Sequence, residues 1–341
     1  MNTLYAGIDL HSNNSVLVIS NEKDVVLYEK RLKNDLDGIL AALAPYRDDV
    51  AGVVVESTFN WYWLVDGLQA AGYTMHLAST VSIPQYSGLK YGDDMSDARW
   101  LARMLRLGIL PEAYIYPAET RPVRDLLRKR SSLVRQRTAG ILSIQNLFSR
   151  NTSRSISADK IGQLTPELMA EAGLSEDVVL AANASLALVQ CATTQIKALE
   201  KVARQRVALT NEFKNLTTVD GIGLILGLTI MLETGDINRF RSVGNYASYA
   251  RCVDGKRVSN GKKKGKTNTK NGNAYLSWAF SEAAQHATRY NDKAARFYQR
   301  KMAKKHMMVA RRALAHKLAR ACFYILRDGV PFDEDKTFGN K

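Results

Sequence analysis

Residues 51–55, Ala-Gly-Val-Val-Val, form a nearly unbroken apolar run that stops at Glu56. A strand of that kind is covered on both faces, which calls for a sheet flanked by helices. The neighbouring sequence supplies the parts. Residues 4–8, 15–19 and 24–28 are short β-rich runs separated by polar turns at 11–14 and 21–23, the pattern of antiparallel hairpins. Residues 35–43 place Leu36, Ile39, Leu40 and Leu43 on one helical face. A further helix is predicted over 60–71, closed by Gly72, and a further strand over 73–78. The order of elements predicts an α/β unit with a mixed sheet. Another helix is predicted over 94–107, with Ala98, Leu101, Ala102 and Leu105 at helical spacing and Gly108 and Pro111 ending it.

The remainder reads as mainly α. Residues 121–148 are long, Arg-rich and interrupted only by Pro122 and Gly140, and a second long helix is predicted over 177–213. Two such helices suit an antiparallel, coiled-coil-like arm. The Ser- and Thr-rich segment between them suits a loop with short helical pieces. A smaller domain begins near Thr217. There Val219-Asp220-Gly221-Ile222-Gly223 leads into an apolar helix at 224–232, and further helices are predicted over 240–249, 274–288 and 294–326. The expected division is 1–118, 119–213, 214–330 and a tail at 331–341.

The formal net charge of +15, from 48 Lys and Arg against 33 Asp and Glu, favours a polyanionic partner, nucleic acid first. Three cysteines without a C-x-x-C pair exclude a zinc-finger pattern or a disulfide framework and suit a reducing cytoplasm. No signal peptide is expected at the N-terminus, and the most apolar stretch, 222–232, is too short to span a bilayer. Gly-rich dinucleotide and P-loop motifs are absent, as is a G-x-S-x-G elbow.

Four carboxylates stand out: Asp9, Glu56, Asp94 and Asp97. Asp9 closes the first strand, where apolar packing favours Val or Ile. Glu56 closes the buried-looking run, where a carboxylate needs solvent or a cation. Asp94 and Asp97 share a face of a helix's first turn. Brought together, they would offer the hard oxygen ligands of magnesium or manganese, and two such ions about 4 Å apart serve phosphoryl transfer. Simple solvated strand ends and an Asp94 N-cap are the bland alternative, and Asp93 leaves open which acid points inward. His11, beside this group, reads as structural.

Residues 256–270 hold seven Lys and Arg, with glycines at 261 and 265. Lys256, Arg257, Lys262, Lys263, Lys264, Lys266 and Lys270 suit phosphate contacts, and Asn271 and Asn273 precede a helix whose N-terminus could meet a phosphate. The alternative is a solvated basic loop. Ser259 lies inside it, and spacing does not single it out from Ser242, Ser248 or Thr267. Residues 219–223 look like a hairpin between helices, offering backbone N–H groups to DNA, or a tight turn with a glycine cap.

On these residues the chain resembles transposases of the insertion sequence 110 family, of the insertion sequence 1111 sub-branch. Gly7-Ile8-Asp9, Val54-Val55-Glu56 and Asp94-Met95-Ser96-Asp97-Ala98 match that family's four acids in order. Leu126-Leu127-Arg128-Lys129-Arg130 matches its arm. Ser259-Asn260-Gly261 through Gly265, and Asn268 through Leu276, match its C-terminal domain. Asp220 departs from the usual proline and is expected to loosen that turn.

The resemblance implies a RuvC-like, RNase H-fold domain, a coiled arm and a mainly α transposase domain. It implies site-specific DNA recombination with magnesium, or manganese, held by Asp9, Glu56, Asp94 and Asp97. Ser259 would be the nucleophile, forming a phosphoserine intermediate. Double-stranded DNA, a non-coding guide (bridge) RNA and copies of the same chain, as dimer or tetramer, are the implied partners, in the cytoplasm and away from membrane. The alternatives are a junction-resolvase-like nuclease using water, which would not need Ser259, and a non-enzymatic nucleic-acid-binding protein, which would need none of the acids.

Overall fold

The computed structural model describes residues 3–83, 93–207, 210–253, 255, 257–265 and 271–339, with the backbone alone for Arg257 and Lys263. The chain divides into two compact units, 1–119 and 120–341.

The first unit is a five-stranded mixed sheet with helices on both faces. Strands β1 (Leu4–Leu10), β2 (Asn14–Asn21) and β3 (Val26–Lys33) form antiparallel hairpins. Helix α1 (Leu36–Leu43), capped by Asp35, leads to β4 (Val50–Glu56), which pairs parallel to β1. Helix α2 (Tyr62–Ala70) leads to β5 (Met75–Ala78), parallel to β4, and α3 (Asp94–Arg106) completes the unit. The strand order is β3-β2-β1-β4-β5.

The two-residue period of the strands decides which side chain faces which helix layer. Ala6, Ile8 and Leu10 of β1 join Val53 and Val55 of β4 under Ile39, Leu43, Leu64 and Leu68 of α1 and α2. The opposite parity faces α3: Val16 and Val18 meet Ala98, while Val54 and Ala78 meet Leu101 and Met104. Helix α3 lies directly on β1 because residue 7 is glycine. A Cβ there would come 2.1 Å from the Ala98 carbonyl oxygen and 2.8 Å from the Ala102 amide nitrogen. At the sheet edge, Arg99 forks onto Glu29 (2.6 and 2.5 Å) and Arg106 onto Asp24 (2.9 and 2.8 Å). Such exposed pairs contribute less than about 1 kcal/mol each, against about 1.5–3 kcal/mol for each fully buried Leu or Ile, so the apolar layers hold α3 in place.

In the second unit α4 (Arg121–Thr152) and α7 (Glu176–Arg206) pack antiparallel. Arg130 pairs with Glu200 at 2.7 Å, and Ser185 reaches Ser143 one helical stretch further along. Between these contacts Gly140 lets the helices close in, since a Cβ there would lie 2.7 Å from Val189 Cγ2. That closeness offsets the roughly 1 kcal/mol that a mid-helix glycine costs. Helices α5 (Ala158–Gly162) and α6 (Pro166–Ala170) bury Ile161 and Met169 against Ile144, Ala182 and Leu186. Helix α7 is also long and apolar enough, by length and composition, to cross a membrane, which no stretch was expected to be.

The long helix expected to reach residue 213 stops at Arg206, and Thr210 caps a separate α8 (Asn211–Leu216). Helix α9 (Leu224–Thr234) follows, then α10 (Val243–Tyr249), which starts later than residue 240 because Ser242 caps it. The basic segment, expected as a loop, contains a hairpin of β6 (Arg257–Ser259) and β7 (Lys262–Gly265). Beyond α11 (Ala274–Tyr290), the helical run predicted over 294–326 is two helices, α12 (Asp292–Met302) and α13 (Met307–Asp328). His306 caps the second by accepting from the Met308 amide (3.2 Å), and no Pro or Gly marks that break. The expected tail carries α14 (Glu334–Phe338), with Phe338 seated 6.1 Å from the Phe297 ring. Tyr246, Phe280, Leu314 and Leu318 lie at the centre of this unit's main core.

Candidate metal centre and serine hairpin

Strand parity puts Asp9 on the α3 side of β1 and Glu56 on the α3 side of β4. The parallel register pairs Ile8 with Val55, so the two acids follow as neighbours at the strand ends. Asp93 and Asp94 are separated by capping. The Asp93 carboxylate accepts from the Ser96 amide at 2.7 Å while the Ser96 hydroxyl accepts from the Asp93 amide at 3.0 Å. Asp94, one residue on, turns toward Asp9. His11 Nε2 lies 3.2 Å from Asp9 Oδ2 and 3.2 Å from Asp94 Oδ2, and ligand atoms of the three residues fall within 4.8 Å of one another. Arg31 on β3 donates to Asp94 Oδ2 at 2.5 Å and to Asn14 at 2.7 Å. Asn34 and Asn60 fix the turn by donating to the His11 carbonyl at 2.9 and 2.8 Å.

The electrostatics are those of crowded negative charge. Asp9 is only 5% exposed. Burial pushes its carboxyl up to about 6; His11 opposes this, and Glu56, Asp94 and Asp97 each add to it. Burial and then the neighbouring Asp94 and Asp93 also raise Asp97. Asp94 is held below the ordinary carboxylate range, first by the Arg31 hydrogen bond. Asp9 thus feels Glu56, Asp94 and Asp97, and Asp97 feels Asp94, while the ligand atoms that converge are those of Asp9, His11 and Asp94. The donor set fits a divalent cation: hard carboxylate oxygens around a buried Asp9, with the His11 Nε2 shielded from solvent and lacking an aligned hydrogen bond. His11, expected to be structural, is part of this group. Its sequence signal was its place two residues past a strand-end Asp. Arg31 gave none, because β3 alternates too weakly to aim it.

Ser259 belongs to the second unit. It ends β6 and pairs with Lys262 across the turn Asn260-Gly261, whose φ values are +48° and +70°. Positive φ at both central residues is the two-residue hairpin turn for which Asn-Gly is the usual sequence, so this hairpin was legible and was missed. Ser259, Lys262 and Lys264 are exposed. Among the described residues, no group hydrogen-bonds the Ser259 hydroxyl. Lys256, Lys266 and Lys270 lie outside the described residues, and nothing is described of the Arg257 and Lys263 side chains.

The start of α11 is built differently. Asn271 is exposed, and its carbonyl accepts from Arg251 at 3.0 Å. Asn273 is buried: its Oδ1 accepts from the Tyr275 and Leu276 amides, capping α11, and its Nδ2 donates to Glu233 at 2.7 Å. Both ends of Asn273 are thus engaged internally, so it ties the start of α11 to Glu233 of α9 instead of offering its side chain to a phosphate. Glu233, 2% exposed, also accepts from Arg124 (3.1 Å) and Arg128 (2.6 and 2.8 Å) of α4. Burial works to raise the Glu233 pKa, but these donors outweigh it and hold it low. Sequence reading missed this network, whose members are spread over some 150 residues.

Residues 219–223 form the turn between α8 and α9. No side chain caps α9, and this turn lines an open cleft of about 890 Å³ together with Lys197, Lys201 and Arg204 of α7 and His286 of α11. Gly221 adopts φ +97°, and a Cβ there would come 2.6 Å from the Ala283 carbonyl oxygen. Asp220 does not loosen the turn as expected. Its carboxylate accepts from Asn291 Nδ2 at 2.9 Å, and that same amide donates to Glu334 at 2.9 Å, tying the turn to α12 and α14.

A 3-2-1-4-5 mixed sheet with acids at the ends of its adjacent parallel strands is compatible with an RNase H-like DEDD domain. Two family models match the chain: one described as Transposase, of the DEDD class of IS110 elements, over residues 6–150, and the Transposase IS116/IS110/IS902 family over residues 213–299. The chain belongs to this family and is an insertion-sequence transposase, an enzyme that binds DNA. The DEDD match also suggests a divalent metal. No curated protein matches the chain.

Proposed function

We propose that this transposase is a site-specific recombinase of the insertion sequence 1111 sub-branch, in which Ser259 cuts DNA with the help of Asp9, Glu56, Asp94 and Asp97. The observation that carries the reading is the convergence of Asp9 and Asp94 on His11 at a buried strand end, with Glu56 and Asp97 close enough to raise the Asp9 pKa. They would hold magnesium, or manganese. When bound, the metal supplies Lewis-acid stabilisation of a phosphate undergoing displacement.

The chain's own groups account for the rest. The Ser259 Oγ–phosphorus bond forms as one backbone P–O bond breaks, and the released deoxyribose oxygen takes up a proton. Reversal by the hydroxyl of another strand rejoins DNA with no net loss of phosphodiester bonds. The exposed Lys262 and Lys264 beside Ser259 suit the backbone phosphates, as do the turn at 219–223 and its lysines. Ser259 lacks a base among the described residues, which fits a site completed by other groups. Acids from one copy and serine from another would supply them in a homo-oligomer. The antiparallel α4–α7 pair serves as a coiled-coil arm for that assembly. The domains run 1–118, 119–213 and 214–330, and a guide RNA selects the DNA.

The test is trapping of a covalent protein–DNA adduct on junction DNA with cognate RNA and Mg²⁺. Parent protein is expected to form it, while Ser259→Ala and Asp9→Asn are not. Equal cleavage by parent and Ser259→Ala without an adduct would replace this reading with a water-using nuclease.

A further inference from the structure

We infer that the paired helices α12 and α13 form a second DNA surface, a cationic ridge that grips the phosphate backbone of duplex DNA regardless of sequence. The inference rests on the chain's acting on DNA and is independent of the Ser259 chemistry.

Between Lys293 and Arg327 the sequence has eleven Lys and Arg and no Asp or Glu, while the whole chain carries a net +15. Most of the molecule's excess charge is therefore concentrated in one helical hairpin, mostly beyond the family match that ends at residue 299. The cations converge in space. Lys301 of α12 and Lys317 of α13 sit 5.7 and 5.3 Å from the centre of the same Phe297 ring. Burial lowers the Lys317 pKa, and the nearby charges of Arg320, Arg300 and Lys301 each press it down further. Two members are satisfied by acids, Lys293 through Glu334 and Asp335 and Arg327 through Asp328. No acid pairs with Arg296, Arg300, Lys301, Lys304 or Lys305 among the described residues.

The ridge is not a plain solvated face. Every residue from 299 to 309 is exposed, and among them are Met302 (45%), Met308 (55%) and Val309 (53%). Apolar groups ringed by unneutralised cations mark a contact surface. A second copy of the same ridge would meet it with like charge, so the complementary occupant is anionic. Duplex DNA presents closely spaced phosphates, and it also accepts apolar side chains against its groove edges.

The test uses the full chain and a 30-bp duplex lacking element sequence, with affinity measured across a salt series. A variant with Arg300, Lys301, Lys304 and Lys305 all changed to Gln is compared with a control in which exposed Lys23, Lys30, Lys33 and Lys160 are changed to Gln. Melting curves verify that both fold. The ridge variant should lose more than about tenfold in affinity at 0.1 M salt. Its slope of log K against log salt should shrink by about 3, near 0.9 per lost phosphate contact. The control should keep the parental slope. Equal losses in both variants would overturn the inference, as would parental DNA binding by the ridge variant with a loss confined to a 30-nucleotide RNA. If Ser259→Ala still forms an adduct while the ridge slope falls as stated, the serine reading fails and this one stands.

Discussion

The acid cluster and the serine hairpin are built in opposite ways. Asp9 is buried on a central strand, crowded by like charges and faced by His11, which also faces an Asp94 held by Arg31 of β3. Ser259 stands at the exposed end of a two-stranded hairpin, with no hydrogen bond to its hydroxyl among the described residues. A metal centre needs its donors held in place before the ion arrives, because mutual repulsion would otherwise spread them. A nucleophile that must reach a DNA strand gains from exposure, provided its root is firm. Glu233 firms the start of α11 through Asn273, eight residues beyond β7.

This contrast can be broken by changing the support of each site. The largest effect is expected from Gly7→Val, which forces α3 off β1. Stability should fall by more than about 3 kcal/mol in urea denaturation, in line with overpacking and backbone strain. Tolerance of Val would mean that α3 is not seated as described. Next, Glu233→Ala leaves Arg124 and Arg128 without their carboxylate, at a cost of about 3–5 kcal/mol. It should loosen the start of α11, read as faster amide exchange over 271–276, and leave Asp9 unaffected. Unchanged exchange there would mean that Glu233 does not hold the α11 cap.

The pH dependence comes third. Asp9 titrates near 6 in the folded chain and near 3.8 when unfolded, so between those values the folded state holds the extra proton. Metal-free stability should therefore decline as pH rises from 4 to 6, by about 2–3 kcal/mol, and then level off. Asp9→Asn should remove that decline, and Mn²⁺ or Mg²⁺ should offset it in the parent. Equal pH profiles for parent and Asp9→Asn would show that the cluster does not crowd Asp9. The smallest effect is Gly261→Ala, which asks Ala to adopt φ +70°. About 1 kcal/mol of local strain is expected, visible in the hairpin's exchange rates and absent from global stability.

Much of this was legible in the sequence. The unbroken run before Glu56 marked a strand covered on both faces, and Asp9 and Glu56 stood out as acids closing strands. Helical spacing found α3 and most of α4, and Asn260-Gly261 could have revealed the hairpin. These are local signals, because period and turn chemistry are properties of neighbouring residues. The tertiary structure decided the rest. It chose Asp93 as the cap and turned Asp94 toward Asp9, through the reciprocal hydrogen bonds between Asp93 and Ser96. It split residues 294–326 into two helices with no Pro or Gly to announce it, because packing on a shared core outweighs continued periodicity. It also brought His11 and Arg31 to Asp94, and Arg124, Arg128 and Asn273 to Glu233. Burying a charge requires partners from wherever the chain can deliver them, and sequence separation carries no record of that requirement.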